Sequence, residues 1–184
     1  MVAGLVLIGY WAAGLSMASW SQHADTGRWR QVTAAVPRPP ARVTSPAGDR
    51  TALMRPVDGM DFELRVPKLG YSAVVHEGVG SGVLATAPGH YPMTAWPGEP
   101  GNVGVAGHNI FWIRFGDLRP GDEIDLDARY GKYRYRVSGT EIVSPADTSV
   151  LAPAPSHQVT LTTCWPLWAG QFATRRLVIF AAET

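Results

Sequence analysis

Apolar and polar residues alternate along much of the chain after Pro56. In "DFELRVP" (61–67), Phe62, Leu64 and Val66 interleave with Asp61, Glu63 and Arg65. In "DEIDLDA", Ile124 and Leu126 share one face, and in "GKYRYRVSGTEIVSP" Tyr133, Tyr135 and Val137 alternate with Lys132, Arg134 and Arg136. A period of two predicts strands with one buried face. "SAVVHEG", the glycine-rich "GNVGVAGH" (101–108), "HQVTLTTC" and "RRLVIFAAE" read as further strands. Short helical turns are expected in "SGVLATAPGHYP", ended by Pro88-Gly89, and at "FGDL". Glycine (20) and proline (15) supply the punctuation between these runs. Roughly eight short strands predict a mainly β fold, a closed eight-stranded barrel, because closure removes exposed edges.

The N-terminal pattern is different. Residues 2–19 carry no charge and have helix-compatible spacing. About 18 residues is the lower limit for crossing the hydrocarbon of a bilayer. Residues 1–20 are therefore expected to form an apolar transmembrane anchor helix or a cleaved signal segment. Ser16-Met17-Ala18 provides the small-x-small pattern of the second alternative. Residues 21–56 are rich in Pro, Ala and Arg without an apolar period, so an extended, semi-stiff linker is expected there. Residues 57–184 are left as the globular domain.

At 184 residues the natural count is one such domain. Lys plus Arg number 16 and Asp plus Glu 15, which leaves no electrostatic footprint for nucleic acid. No acidic run has calcium-loop spacing, so neither metal nor cofactor is expected. Cys164 is the only cysteine, which excludes an internal disulfide and a four-cysteine zinc site. It is either an inert buried thiol or a nucleophile. A nucleophile needs a base or a positive neighbour. His157 opens the same run and lies about 20 Å away along a strand. His108 ends a strand beside Gly104 and Gly107, and His90 follows a Pro-Gly turn; both are candidates. Arg175-Arg176 opens the next run and offers an oxyanion donor or an ordinary strand-end cation.

Several segments together resemble one family. "TLTTC" resembles the Thr-Leu-x-Thr-Cys motif of sortases, the cysteine transpeptidases of bacterial surfaces. "PGEPGNVGVAGHN" resembles their histidine strand, "LRPGDEIDL" the segment that follows it, and "RRLVIFA" their arginine strand. The Cys-x-Pro turn and the long loop from cysteine to arginine look most like class D, with class E as the alternative. The resemblance implies a sortase-type barrel with Cys164, His108 and Arg176 meeting at its rim. Arg176 is preferred to Arg175 because it directly precedes "LVI"; alternation does not separate the two, since both faces of that run are apolar. It also implies cleavage of a Leu-Pro-x-Thr-Gly-like sorting signal between Thr and Gly, through a Cys164 thioester. Transfer to a primary amine would follow, from a cell-wall precursor or a protein lysine. Phe111 and Trp112 follow His108, while Trp165 and Trp168 follow Cys164. With Thr163, the three Trp residues are the expected substrate-binding walls. The implied location is the cell membrane, with residues 2–19 in the lipid bilayer and the catalytic domain outside the cytoplasm. The reading from a different class is a non-catalytic extracellular β-barrel binding module.

Overall fold

The computed structural model describes residue 22, residues 24–35 and residues 51–184. The expected apolar anchor over 1–20 lies outside the described residues.

Eight strands close into a barrel in the order β1-β2-β3-β4-β7-β8-β6-β5. They are β1 (Met60–Val66), β2 (Tyr71–Glu77), β3 (Gly89–His90), β4 (Gly101–Gly107), β5 (Glu123–Ala128), β6 (Gly131–Val143), β7 (His157–Trp165) and β8 (Arg175–Glu183). Closure comes from β1 pairing with β5, Leu64 opposite Leu126. The β2–β3 and β4–β7 pairs are parallel; the others are antiparallel.

The alternation read from the sequence fills this barrel. Phe62, Leu64, Val66, Ile124, Leu126, Val159, Leu161 and Ile179 point inward and are almost fully buried. On the outer face of β1, β5 and β6, Arg65 meets Asp125 and Asp127, Arg134 meets Glu123 and Asp125, and Lys132 meets Asp127. That ladder explains the strictly alternating charges of "ELRV", "EIDLDA" and "KYRYR".

The connection after β4 turns back to plug one end of the barrel. Trp112 stacks flat on Phe115, with ring centroids 4.3 Å apart, and its Nε1–H donates to the Tyr71 hydroxyl at 2.9 Å. The indole lies so close to Gly107 that a Cβ there would overlap the ring. Burial pushes the Tyr71 phenol up to about 12, so it stays a neutral acceptor.

The extended linker expected over 21–56 does not hold throughout. Residues 24–34 form a helix. Its inner face carries Asp25, Thr26, Trp29, Val32 and Thr33, a spacing of three and four residues. Trp29 is 1% exposed and belongs to the main core. Asp25 bonds His76 at 3.1 Å, and the Gln22 amide donates to the Thr86 carbonyl at 2.7 Å. Only Trp29 and Val32 are strongly apolar on that face. Polar contacts complete it, so no apolar period was visible.

Trp29→Ala should therefore destabilise the protein by about 3–5 kcal/mol, as for other buried large-to-small aromatic changes. Urea unfolding checks this; an unchanged midpoint would contradict the packing of the helix.

Candidate active site

Cys164 sits near the end of β7, half-buried and unpaired. Its direct cross-strand partner on β8 is Arg176. Opposed residues on paired strands project to the same face. Here the guanidinium Nη1–H donates to the Cys164 sulfur at 3.0 Å. Side chains alternate along a strand, so Arg175 points the other way. It donates to the Val143 carbonyl at 3.2 Å and the Ile142 carbonyl at 3.1 Å.

On its other side β7 runs parallel to β4, and the last paired residues are Gly107 and Thr163. His108 is the next residue after Gly107, as Cys164 is after Thr163. Register thus brings His108 to the end of the strand beside Cys164. The imidazole meets Phe111 edge-on at 6.4 Å, and its buried Nδ1 has no hydrogen-bond partner.

The other described histidines are occupied. His90 is 2% exposed, with Nδ1 on the Asp61 carboxylate at 2.9 Å and Nε2 donating to the Ala95 carbonyl at 3.1 Å. Phe62 and Trp96 flank its ring edge-on. This places His90 in the core, tying β1 to the start of the β3–β4 connection. His76 holds Asp25, and His157 faces Glu183 at 3.0 Å.

Cys164, Thr162 and Thr160 share the outward face of β7, while Thr163, Leu161 and Val159 point inward. On β4 the matching outward positions are Ala106 and Gly104. Small residues make this surface low. Tyr91 lies across it, its hydroxyl 3.0 Å from that of Thr162, and Thr94 accepts from the Gly104 amide at 3.0 Å. A Cβ at Gly104 would come within 2.9 Å of Leu151 and 3.0 Å of Tyr91.

Two expected substrate walls are corrected by this geometry. Thr163 faces the barrel interior and is 3% exposed, because strand alternation sets it opposite Cys164. Trp112 is 1% exposed and forms the barrel plug. Trp165 is half-buried and lines a cavity of about 410 Å³ with Gly116, Thr140, Glu141, Ile142 and Leu177. Trp168 projects into solvent at 81% exposure from a 3-10 turn, Leu167–Phe172, between β7 and β8.

Asn109 escaped the sequence reading. It follows His108, is fully buried, and donates from Nδ2 to the Gly170 carbonyl at 3.2 Å. A lone amide inside "GHNIFWI" was the available signal. Among the described residues, no group of three or more His, Cys, Asp or Glu side chains is arranged to hold a metal ion.

Chemically, the site presents a thiol with a cationic N–H aimed at its sulfur. A guanidinium in that position can donate to an oxygen that gains negative charge beside the sulfur.

A family model described as "Sortase domain" matches residues 64–184. Over 119 residues the chain is 31% identical to Sortase D of Bacillus subtilis (strain 168), a match covering 64% of this chain and 60% of that protein. The chain thus spans less than two thirds of that relative's length. The solved sortase D5 transpeptidase of Clostridium perfringens is similar at a TM-score of 0.66 and 26% identity, over 77% of this chain and 90% of that one. Sortase E1 of Streptomyces coelicolor, solved with a tripeptide in its active site, is similar at 0.63 and 28% identity, over 68% and 88%.

Proposed function

Because this chain belongs to the sortase family, whose members are cysteine transpeptidases, we propose that it cleaves a sorting signal through Cys164 and transfers the acyl group to an amine. The observation that carries this reading is the contact of 3.0 Å between Arg176 and the Cys164 sulfur. Neither an inert core thiol nor a strand-end cation calls for it.

The Cys164 thiolate attacks the carbonyl carbon between Thr and Gly of a Leu-Pro-x-Thr-Gly-like segment. The carbonyl oxygen takes the electron pair, and Arg176 stabilises it. As the tetrahedral adduct collapses, the C–N bond breaks and His108, as imidazolium, protonates the leaving glycine amine. A thioester remains on Cys164. A primary amine, from a cell-wall precursor or a protein lysine, then attacks the thioester. His108 accepts its proton, and an amide bond replaces the thioester while the thiolate is regenerated. A thiol is suited to this exchange because it makes a reactive acyl-enzyme.

Proteins of this family generally work at the cell surface in association with the membrane, and residues 2–19 supply an apolar stretch that fits an anchor. Among the described residues, no helix is long and apolar enough to cross a membrane. The full chain is expected in the membrane fraction and a chain beginning at residue 22 in the soluble fraction. A soluble full chain that retains Met1 would count against the anchor.

The two arginines provide the test of the chemistry. Arg176→Ala should slow single-turnover acylation by about 10²–10³, the worth of one donor aimed at a developing oxyanion. Arg176→Lys should recover little, because an ammonium does not reproduce the planar fork. Arg175→Ala should acylate at close to the wild-type rate, since that side chain is bonded to the end of β6. The reverse ranking would overturn the assignment.

A further inference from the structure

We propose that Asn109 is a positioning residue that locks the loop between Cys164 and Arg176 to the end of the His108 strand, and so holds the three groups in one arrangement. The inference rests on the transpeptidase reading above. The loop, residues 166–174, joins the nucleophile's strand to the arginine's strand. Leu167 buries one end of it, while Trp168 and Phe172 stand 81% and 79% exposed and hold nothing down. Its own backbone bonds are internal, from Ala169 to Pro166 and from Ala173 to Gly170. Among the described residues, the Asn109 amide on the Gly170 carbonyl is the only hydrogen bond tying this loop to another part of the chain.

Both partners are built for the contact. Gly170 adopts φ 54° and ψ −126°, a left-handed conformation that favours glycine and turns its carbonyl out of the helical run. Asn109 is fully buried, yet its Oδ1 has no partner. An unpaired buried acceptor destabilises the fold. An apolar residue would suit this position better if packing were its only role. The start of β8 is held by β6 and β7 on either side, but the chain beyond Gly107 has left the β4–β7 ladder, so without the Asn109 link His108 would lose its fixed place beside Cys164 and Arg176.

The experiment uses Asn109→Asp, Asn109→Ala and Gly170→Ala in the full chain. Aspartate keeps the shape and sets an oxygen against the Gly170 carbonyl. Gly170→Ala strains the same link from its other end, where a Cβ meets no neighbouring atom. The first readout is the rate of Cys164 alkylation by iodoacetamide at pH 7, which needs no peptide. The second is single-turnover acylation with its KM. Each single variant should slow both rates by about two- to tenfold, in keeping with the loss of one hydrogen bond, while KM stays within twofold. Asn109→Ala combined with Gly170→Ala should be no slower than the slower single variant, because both break one link. Wild-type alkylation and acylation rates in Asn109→Asp would overturn the proposal, and so would multiplicative losses in the double variant. Should the wild-type chain acylate with no peptide, the transpeptidase reading fails, and the alkylation rates still decide whether Asn109 acts on Cys164.

Discussion

Cys164→Ala is expected to abolish acyl-enzyme formation and peptide cleavage while leaving the barrel folded. The side chain is half-buried at a strand end, and the change removes only sulfur. Thr160 and Thr162 keep their bonds to Asn102 and Tyr91, and the core face of β7, Val159 and Leu161, is untouched. Stability should therefore move little. Activity should vanish, because the hydroxyls left on that face among the described residues, those of Thr160 and Thr162, are bonded to Asn102 and Tyr91 and are far weaker nucleophiles than a thiolate. On the proposed mechanism, Arg176 and His108 alone would stabilise a transition state that nothing initiates. Thermal melting together with peptide cleavage separates the two outcomes. A folded Cys164→Ala protein that cleaves as fast as wild type would end the cysteine mechanism.

The second large effect concerns His108. A positioned general acid contributes about 10²–10⁴ in rate, and His108→Ala should lose that much in acylation by peptide. The loss should depend on the leaving group. A glycine amine must be protonated to depart, whereas an activated ester leaves as a stable anion. Acylation by such an ester should therefore fall far less in the variant. Equal losses with peptide and ester would mean that His108 acts on the fold or on binding. An unchanged peptide rate would remove it from the chemistry.

How much of this was legible depended on what each face of a strand meets. In β1 and β5 one face meets core and the other meets water and counter-ions, so "ELRV" and "EIDL" alternate cleanly. In β8 the alternation failed for a physical reason. Leu177 and Ile179 fill the barrel, but Val178 on the opposite face is also fully buried and Phe180 is half-buried. A strand covered on both sides carries no periodic mark, and the choice between Arg175 and Arg176 had to come from family likeness. The pairing of Cys164 with Arg176 is the structural fact that sequence spacing could not supply.

Two residues expected as substrate walls are buried because closeness along the chain is not closeness in space. Thr163 is next to Cys164 yet faces the interior, and Trp112 follows His108 by four residues yet folds back beneath Gly107. The helix over 24–34 was hidden because a single buried Trp29, helped by polar clasps to β2 and Thr86, does the work of an apolar stripe. Asn109 was hidden because its partner Gly170 lies 61 residues away.

The most direct measurement is the intact mass of the wild-type protein, quenched in acid seconds after mixing with peptides varied around Leu-Pro-x-Thr-Gly. A transpeptidase should gain the mass of the peptide through its threonine less one water, attached at Cys164. Adding a primary amine should discharge that adduct into an amide product faster than water does. Cleavage with no adduct at Cys164, or no adduct and no cleavage with any peptide in the series, would contradict the account.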